Sequence, residues 1–424
     1  MKNTLIVIVA LFVTGLIGAS PVMSQKSVPV TDTVLMNPGY SSEVYYSMVT
    51  GTKATVLRNQ WDIAFRTSIL SASILTNDGS GVVLYTYPKS DTSGWASVDT
   101  SGFSTWKPLY NSLTDWEMGA FNTNSKGDFD YGWGVYNVVT HNLTGDSLYI
   151  IKLRNGQLRK LWIEGKASSL NKYSVRTASL DGSNLLRSTI DCGLYTSRNF
   201  VGFSVPDNAV VDFETADASS WDILFTKYMG LSGTTPYPVT GVLSNYNTGV
   251  SKNHPVALDF RAWDASLFDS ARSVIGYDWK YIDASFVYHV VDSSVYFIQD
   301  KGGNIHKLIF KEFAGSSTGR IVFQKEMISA AGTDVKEMMD MNAAVYPNPA
   351  SDVLNLTVNP GSSKNISVSF LDISGKTILS DRFELQPHQL SNLRLPLVNT
   401  PSGIYVVRIH AGDNTISRKV IVNK

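Results

Sequence analysis

The sequence predicts an all-β fold, and three observations lead to this prediction. Short segments of alternating apolar and polar residues recur along the 424 residues, whereas long stretches with helical periodicity are hard to find. Turn signals such as Asp78-Gly79 and Asn155-Gly156 separate some of these segments. Aromatic residues, which favour strands, make up 11% of the chain. We therefore expect tandem antiparallel β domains, with a small immunoglobulin-like β-sandwich at the end of the chain.

The N-terminal segment has the pattern of a cleavable signal peptide over residues 1–24. Lys2 supplies a positive charge, and residues 5–18 form an apolar run that is too short to span a bilayer comfortably. Residues 22–24 are small enough to precede a cut ahead of Gln25. No Cys lies near that cut, so we expect no acyl anchor on the mature N-terminus.

Composition excludes some partners and predicts how the chain is held together. Lys and Arg together number 36, as do Asp and Glu, so the net charge gives no reason to expect binding to nucleic acid. The single Cys192 cannot form an intramolecular disulfide, so core packing must stabilise the domains. Its apolar neighbours predict a buried, unreactive thiol.

An internal repeat organises the middle of the chain. The W-D-I-A-F sequence of residues 61–65 returns as W-D-I-L-F at residues 221–225. A second match follows in the same order, because the strand-turn-strand pattern of residues 149–163 returns at residues 296–310. Two ordered matches with a similar gap predict a duplicated domain.

The W-D-I-x-F sequence has a simple physical interpretation. Trp, Ile and Phe fall at alternate positions, so we expect all three to enter one core from one face of a strand. Asp62 and Asp222 would then point the other way. An Asp in this setting more often accepts backbone N–H groups than performs catalysis.

Several of these segments resemble the HmuY family of Bacteroidetes secreted and surface proteins. The resemblance includes the two W-D-I strands, the D-W-K of residues 278–280, the hairpin of residues 296–310 and the F-A-G-S-S-T-G of residues 313–319. It extends over the whole second copy, whereas the first copy departs from it, with Trp133-Gly134 in place of the W-K pair. The resemblance implies an antiparallel, mostly β fold whose best-known member captures haem outside the cell.

Haem binding needs axial ligands, which lie outside the matched motifs. His141 and His289 are the candidates, because each precedes the first strand of the repeated hairpin by seven or eight residues. Exposed histidines, or histidines bonded within a turn, are the alternative interpretation. No cofactor is therefore assigned, and haem remains one candidate ligand.

Most catalytic motifs are absent from the sequence. It contains no H-E-x-x-H or C-x-x-C pattern and no phosphate-binding loop. Glu117 is a carboxylate without an assignable partner for glycoside hydrolysis. We therefore predict that the protein is not an enzyme.

Clustered aromatic residues suggest a second class of ligand. Trp95, Trp106 and Trp116 lie in a Gly/Ser/Thr/Asp-rich stretch that the second copy lacks. Such rings on a β scaffold can form a stacking platform for sugars. They can also form a satellite core under a long insertion, and a coplanar exposed row would distinguish the first interpretation from the second.

The C-terminal segment carries an ordered set of turn and strand residues. The motif positions are Tyr346, Pro347, Asn348, Pro349, Gly375, Gly403, Tyr405 and Lys419. These positions, in the contexts Y-P-N-P, D-x-x-G-K, P-x-G-I-Y-V-V-R and a basic-apolar end, closely resemble the type A sorting domain of the type IX secretion system of Bacteroidetes. The resemblance implies the secretion machinery as a partner, export to the medium or the outer-membrane surface, and removal of the domain during export. Attachment to surface lipopolysaccharide would follow for some proteins of this kind.

These observations predict a secreted or cell-surface binding protein without enzymatic activity. Its ligand is undetermined, with a haem-binding or a glycan-binding protein as the alternatives. The fold prediction is two tandem antiparallel HmuY-like β domains followed by a small Ig-like β-sandwich sorting domain. The predicted organisation is a signal peptide (1–24), a first copy (25–205), a second copy (206–330), a linker (331–345) and a sorting domain (346–424).

Overall fold

The computed structural model confirms the all-β fold. It describes residues 28–127, 129–331, 341–360, 363–386, 391–412 and 414–424. The predicted signal peptide and residues 332–340 of the predicted linker lie outside the described residues.

Strands dominate the described residues. In chain order they are β1 (Val30–Leu35), β2 (Ser42–Ser47), β3 (Gly51–Leu57), β4 (Ile63–Arg66), β5 (Ile74–Thr76), β6 (Val83–Thr86), β7 (Gly134–Tyr136), β8 (Leu143–Gly145), β9 (Tyr149–Lys152), β10 (Leu158–Ala167), β11 (Lys172–Ser179), β12 (Leu186–Asp191), β13 (Phe200–Ser204), β14 (Ala209–Val211), β15 (Ile223–Ser232), β16 (Thr235–Ser244), β17 (Gly249–Asn253), β18 (Lys280–Ile282), β19 (Tyr288–Val290), β20 (Val295–Gln299), β21 (Ile305–Phe313), β22 (Arg320–Ser329), β23 (Met341–Tyr346), β24 (Val353–Pro360), β25 (Asn365–Asp372), β26 (Thr377–Glu384), β27 (Ser391–Pro396), β28 (Gly403–Ala411) and β29 (Asn414–Val422).

Short 3-10 helices connect some of these strands. They are Pro38–Tyr40, Asp78–Ser80, Thr92–Ser97, Phe103–Thr105, Ala120–Asn122, Ser168–Leu170, Cys192–Tyr195, Ala265–Leu267 and Gly315–Ser317.

The first copy consists of two antiparallel sheets around one core. One sheet has the strand order β14-β13-β4-β5, and the other includes the order β12-β11-β10-β9-β6, with the β7–β8 hairpin attached to β10. Ile63 and Phe65 of the smaller sheet pack in the same buried cluster as Ile151, Leu161 and Val175 of the larger sheet. The repeat motifs therefore lie where the two sheets meet.

The second copy has the same two sheets, but the start of the chain completes both. Its strand orders are β3-β2-β15-β16 and β1-β22-β21-β20-β17, which match those of the first copy strand by strand. β1 pairs with β22, and β2 pairs with β15. These N-terminal strands occupy the positions that β12, β13 and β14 occupy in the first copy.

This pairing differs from the predicted boundaries of 25–205 and 206–330. After β11 the first copy continues directly into β12 and β13, whereas after β22 the chain leaves for the sorting domain. The second copy therefore obtains its last strands from the N-terminus. Val34, Val44 and Met48 are fully buried in the core that also contains Phe225 and Phe323.

The C-terminal segment forms a separate two-sheet β-sandwich. Its sheets have the orders β23-β24-β27 and β26-β25-β28-β29. Leu354 of the first sheet shares a buried cluster with Phe370 and Val407 of the second. The first strand begins at Met341, so this unit begins within the predicted linker.

Candidate ligand site between the two copies

The four-stranded sheets of the two copies face each other, and we call the contact between them the seam. Every residue of β2, β4, β5 and β13 is buried, because one face of each sheet covers its own core and the other face lies against the seam. Trp116 packs against seam-facing clusters of both copies. A hydrogen bond of 2.8 Å joins Nδ2 of Asn199 to Oδ1 of Asn245 across the seam.

The W-D-I tryptophans face the seam, which corrects the expectation that Trp, Ile and Phe share one core. Trp61 clusters with Ala64 on the seam side, whereas Ile63 lies in the first core. Trp221 likewise clusters with Leu224. The physical reason is that β4 and β15 begin at the Ile, so each Trp precedes the strand and does not follow its alternation.

Asp62 and Asp222, which follow these tryptophans, connect neighbouring strands through hydrogen bonds. Oδ2 of Asp62 accepts a hydrogen bond of 2.8 Å from the backbone N–H of Val205, just after β13. Oδ2 of Asp222 accepts one of 2.7 Å from the N–H of Met48, just after β2. These equivalent contacts agree with the structural role predicted for both carboxylates.

A half-open cleft of about 60 Å³ lies in the seam and is lined by both copies. Three buried carboxylates reach it, namely Glu43, Asp78 and Glu214. Buried groups with shifted ionisation in a cleft are a general indication of a functional site. The cleft is therefore the candidate ligand site.

Burial shifts the ionisation of these carboxylates towards the neutral form. Desolvation raises the pKa of Glu214 to about 8, although the backbone N–H of Asn199 donates to its Oε2 at 2.7 Å. Desolvation also raises the pKa of Asp78 to about 6, with Nδ2 of Asn111 2.9 Å from Oδ2. The pKa of Glu43 is raised for the same reason.

Fixed side chains hold Glu43 in place. The hydroxyl of Tyr45 donates to Oε1 at 3.0 Å, and the hydroxyl of Thr226 donates to Oε2 at 2.9 Å. Both carboxylate oxygens therefore have donors from the protein, which stabilises the buried group in one orientation.

A buried cation and aromatic rings complete the cleft. The guanidinium of Arg272 lies 3.8 Å from the ring centre of Trp116, and its own desolvation lowers the pKa of Arg272 to about 10. Trp61 stacks on Phe213 with ring centres 4.6 Å apart, and Trp221 meets Tyr45 edge to face at 5.1 Å.

Several buried polar atoms of residues that line the cleft have no hydrogen-bond partner within the protein. They are Nε1 of Trp61, Nε1 of Trp221, Nε and Nη1 of Arg272, and the hydroxyls of Thr76 and Tyr228. Trp116 differs, because its Nε1 donates to the carbonyl of Ser244 at 2.9 Å. Buried polar groups are normally paired, and these unpaired atoms are shielded from the open space of the cleft as well as from solvent.

Glu214→Gln is expected to stabilise the protein at alkaline pH. The pKa of Glu214 is about 8 in the folded chain, against an ordinary value of 4.5. The unfolded chain releases this proton at lower pH, so the stability contributed by Glu214 is fully present below about pH 4.5 and is lost as the pH rises to about 8. Glutamine retains an acceptor for the N–H of Asn199 and does not ionise. Near pH 8.5 we expect a gain of roughly 2–4 kcal/mol in unfolding free energy.

Denaturant unfolding at about pH 4.5 and pH 8.5 measures this effect. Glu312→Gln, at a half-exposed carboxylate outside the seam, is the matched control. A gain that is equal at both pH values would show that Glu214 does not hold a proton in the folded protein.

The predicted haem ligands lie on two different hairpins, where each has a local partner. His141 is exposed in the turn between β7 and β8, with Nδ1 2.6 Å from the hydroxyl of Tyr136. His289 lies on β19, with Nε2 2.8 Å from Oδ2 of Asp283 and its ring stacked on Tyr281. Their positions are not equivalent, because His141 shares its turn position and positive φ with Phe286. Neither histidine lines the cleft.

The three predicted sugar-stacking tryptophans separate into two places. Trp95 and Trp106 are half-buried against Tyr87 and Ile150, in a small cluster under the long insertion. The rings of Tyr87 and Trp106 meet at 69°, and both tryptophans pack in this cluster instead of standing in an exposed row. Trp116 lies in the seam and lines the cleft.

Two other residues singled out in the sequence have structural contacts. The thiol of Cys192 is fully buried, and desolvation raises its pKa to about 12. Oε1 of Glu117 accepts a hydrogen bond of 3.2 Å from Nε of Arg66. Within the described part of the chain, no group of three or more His, Cys, Asp or Glu side chains is arranged to hold a metal ion.

The sorting-motif residues shape the ends and turns of the C-terminal sandwich. Asn348 holds the last strand, because its Oδ1 accepts from the N–H of Ile421 at 2.8 Å and its Nδ2 donates to the carbonyl of Lys419 at 3.1 Å. Gly375, with φ of 85°, closes the β25–β26 turn. The hydroxyl of Tyr405 donates to the carbonyl of Pro401 at 2.9 Å.

The remaining motif residues occupy neighbouring positions. Tyr346 ends β23, Pro347 and Pro349 flank Asn348, and Gly403 begins β28. The motif thus marks strand ends and connections of one compact unit.

The residues of the cleft come from segments that are far apart in the sequence. Glu43, Asp78, Glu214 and Arg272 were not predicted as site residues, because no local spacing connects them. Trp116 was predicted as a ligand-binding aromatic residue, although on another argument. The repeated W-D-I motif could have pointed to the seam, since it places one Trp from each copy there.

Comparison with known proteins identifies the C-terminal unit. Residues 344–423 match the family described as the secretion system C-terminal sorting domain. No curated protein matches the chain. Among the described residues, no helix has both the length and the apolar character needed to cross a membrane.

A solved structure is also similar, although weakly. It is PorZ, described as an essential bacterial surface component of the type-IX secretion system of human oral-microbiomic Porphyromonas gingivalis. The identity is 10% and the TM-score 0.17, over 68% of this chain and 44% of PorZ, so the chain spans less than half of that protein. These matches do not include the HmuY family, and membership of that family stays a prediction.

The sorting domain interacts with the type IX secretion machinery and directs the protein that carries it out of the cell. Residues 344–423 are therefore a secretion-system C-terminal sorting domain, and the chain is a protein that the type IX system exports to the extracellular medium or the outer-membrane surface.

Proposed function

We propose that this exported protein is a non-enzymatic binding protein whose ligand occupies the cleft in the seam. The observation that carries the proposal is that buried carboxylates and aromatic rings from both copies line one half-open cavity together with Arg272. A site that needs both copies also gives the duplication a functional reason.

The contacts of the carboxylates support a binding role over a catalytic one. Glu43, Asp78 and Glu214 each accept hydrogen bonds from fixed protein donors. Covalent catalysis instead needs a nucleophile beside a base that is oriented by a third group. The described residues of the cleft present no such set.

The proposal also covers the fate of the exported chain. We propose that the sorting domain is removed during export and that the mature protein is released or attached to surface lipopolysaccharide. The resemblance of the C-terminal motif to type A sorting domains supports this part.

A parallel screen of the mature exported protein tests the proposed function. The protein is applied to a glycan array and titrated with haemin, and we expect saturable binding of at least one ligand without its chemical conversion. Binding of haemin with a six-coordinate spectrum that is lost in His141→Ala or His289→Ala would favour the haem alternative. Turnover of a bound glycan, or no binding in either assay, would contradict the proposal.

A further inference from the structure

One face of the sorting domain is not used by its own fold. In the P-x-G-I-Y-V-V-R strand and in the basic-apolar end of the chain, side chains such as Tyr405, Val407 and Val420 point into the core of the sandwich and are buried. Core packing therefore accounts for about half of these two sequences. The other side chains point away from the core, and we call them the outer face, which consists of Ile404, Val406, Arg408, Lys419 and Ile421.

The outer face has an apolar end. Ile404 and Ile421 lie directly opposite each other in the antiparallel pair of β28 and β29, and they are 49% and 39% exposed. Val406 is half-buried in the next outward row of β28. The solvent side of an antiparallel sheet normally carries polar residues. These three side chains instead form a patch, and exposed apolar patches are typical of surfaces that another molecule covers.

The part of the outer face next to this patch is basic. Lys419 pairs with Val406, and Arg408 follows in the next outward row of β28. The residues opposite Arg408 on its two neighbouring strands are Ser369 and Ser417. No carboxylate therefore opposes either cation within the sheet. A surface of this kind is complementary to an apolar patch that is bordered by carboxylates.

The free edge of β29 is already occupied beside the apolar end. The N–H of Ile421 donates to Oδ1 of Asn348 at 2.8 Å, and its carbonyl accepts from the N–H of Ala350 at 2.8 Å. The carbonyl of Lys419 accepts from Nδ2 of Asn348 at 3.1 Å. Open sheet edges can recruit a strand from another chain, but here the Y-P-N-P segment uses the backbone groups that such a strand needs. A partner at this place must therefore contact the side chains of the outer face.

We propose that the sorting domain docks onto a component of the type IX secretion machinery through its outer face. Ile404 and Ile421 pack against an apolar patch of that component, and Arg408 and Lys419 pair with carboxylates at the border of the patch. The family match includes all of these residues and identifies the machinery as the partner of the domain. The inference concerns export alone and does not depend on the binding function proposed for the two copies.

Export of full-length variants tests the docking surface. Arg408→Glu/Lys419→Glu reverses both charges, and Ile404→Thr/Ile421→Thr removes the apolar pair but retains branched side chains that suit a strand. We expect each double variant to lower the ratio of exported to periplasmic protein by about fivefold or more, because like charges repel and apolar contacts are lost at the interface. Arg408→Lys, which retains the charge, should be exported normally.

The opposite side of the sandwich provides matched controls. Arg394→Glu reverses an exposed charge on β27, and Val398→Thr replaces an apolar side chain that is 67% exposed after this strand. Both variants should be exported like the unaltered protein. Thermal melting of each full-length chain, purified without export, verifies folding. Normal export of both outer-face double variants, equal retention of the controls, or retention only of variants that melt at a lower temperature would overturn the proposal.

Site-specific photo-crosslinking in a host with a type IX secretion system identifies the occupant of the outer face. A benzophenone side chain is placed at position 406 of the full-length chain, and at position 394 as the control. We expect position 406 to link to a protein of the secretion machinery, with loss of this product when Arg408→Glu/Lys419→Glu is added, and no such product from position 394. Linkage of position 406 to lipopolysaccharide, to another molecule of this chain or to residues 28–331 of the same chain, or no product at all, would overturn the assignment.

Discussion

Removal of residues 28–57 is expected to unfold the second copy while the first copy stays folded. This segment contains β1, β2 and β3, and it places Val34, Val44, Tyr46 and Met48 in the second core. Each of these buried side chains contributes about 1.5–3 kcal/mol. Their combined loss is comparable with the roughly 5–15 kcal/mol that keeps a typical domain folded.

Limited proteolysis followed by mass spectrometry measures the result. We expect a resistant fragment within residues 58–214, which include β14, and rapid digestion of residues 215–331. A circular permutant, in which residues 28–57 follow residue 331 through a short Gly/Ser linker, is the control. Val30 lies opposite Lys325 near the end of β22, so this linker has a short distance to span. Resistance of the second copy in the deletion variant, or unfolding of the first copy alone, would contradict the strand assignment.

Removal of residues 341–424 is expected to stop export across the outer membrane. These residues contain the matched sorting domain and all of the strands β23 to β29. The two copies have separate cores, so they should fold without it and accumulate in the periplasm. Fractionation of a host with a type IX secretion system, followed by immunoblotting, compares the periplasm with the medium and the cell surface.

A fusion of residues 341–424 to an unrelated periplasmic reporter is the complementary test. The reporter should appear outside the cell, because the sorting domain is a self-contained sandwich with its own core. Normal amounts of the truncated protein in the medium or on the surface would show that export depends on another segment.

Local sequence signals predicted the C-terminal unit well, for a physical reason. Gly375 adopts a positive φ, and Asn348 bonds to the last strand through its own side chain. Requirements of this kind belong to individual residues, so they are visible in the sequence. The all-β class and the repeat were likewise predictable, because alternation and motif order are properties of short segments.

The closure of the second copy was not predictable in the same way. β1 pairs with a strand almost three hundred residues further along the chain, and nothing in residues 30–35 specifies β22 over β11 as the partner. The sequence analysis therefore placed a single boundary between the two copies, after residue 205, and assigned the N-terminal strands to the first copy. The pairing depends instead on β22 and β15, because each has an edge that no later strand of the second copy covers and that the N-terminal strands pair with.

The candidate site was hidden by the same long-range pairing. Glu43 reaches the cleft because β2 joins β15, and Glu214 reaches it from the segment that follows β14. The sequence analysis assigned Trp61 to the wrong face of the sheet, because it applied strand alternation to a residue that lies two positions before β4 begins. His141 and His289 were selected by sequence spacing, which did not reveal that they occupy different positions in their hairpins.

An engineered disulfide tests most directly the central claim that the N-terminus closes the second copy. Thr33 on β1 lies opposite Val322 on β22. Opposed residues in antiparallel strands have Cα atoms about 4.5–5.5 Å apart, which suits a disulfide. Cys192 is fully buried and does not compete. The control pairs Thr33→Cys with Ser188→Cys on β12, an edge strand of the first copy.

Mass spectrometry of the mildly oxidised, purified protein detects the linked peptides. We expect near-complete intramolecular linkage in Thr33→Cys/Val322→Cys and none in Thr33→Cys/Ser188→Cys. Linkage to position 188 without linkage to position 322 would place the first strand in the first copy and contradict the account of the seam.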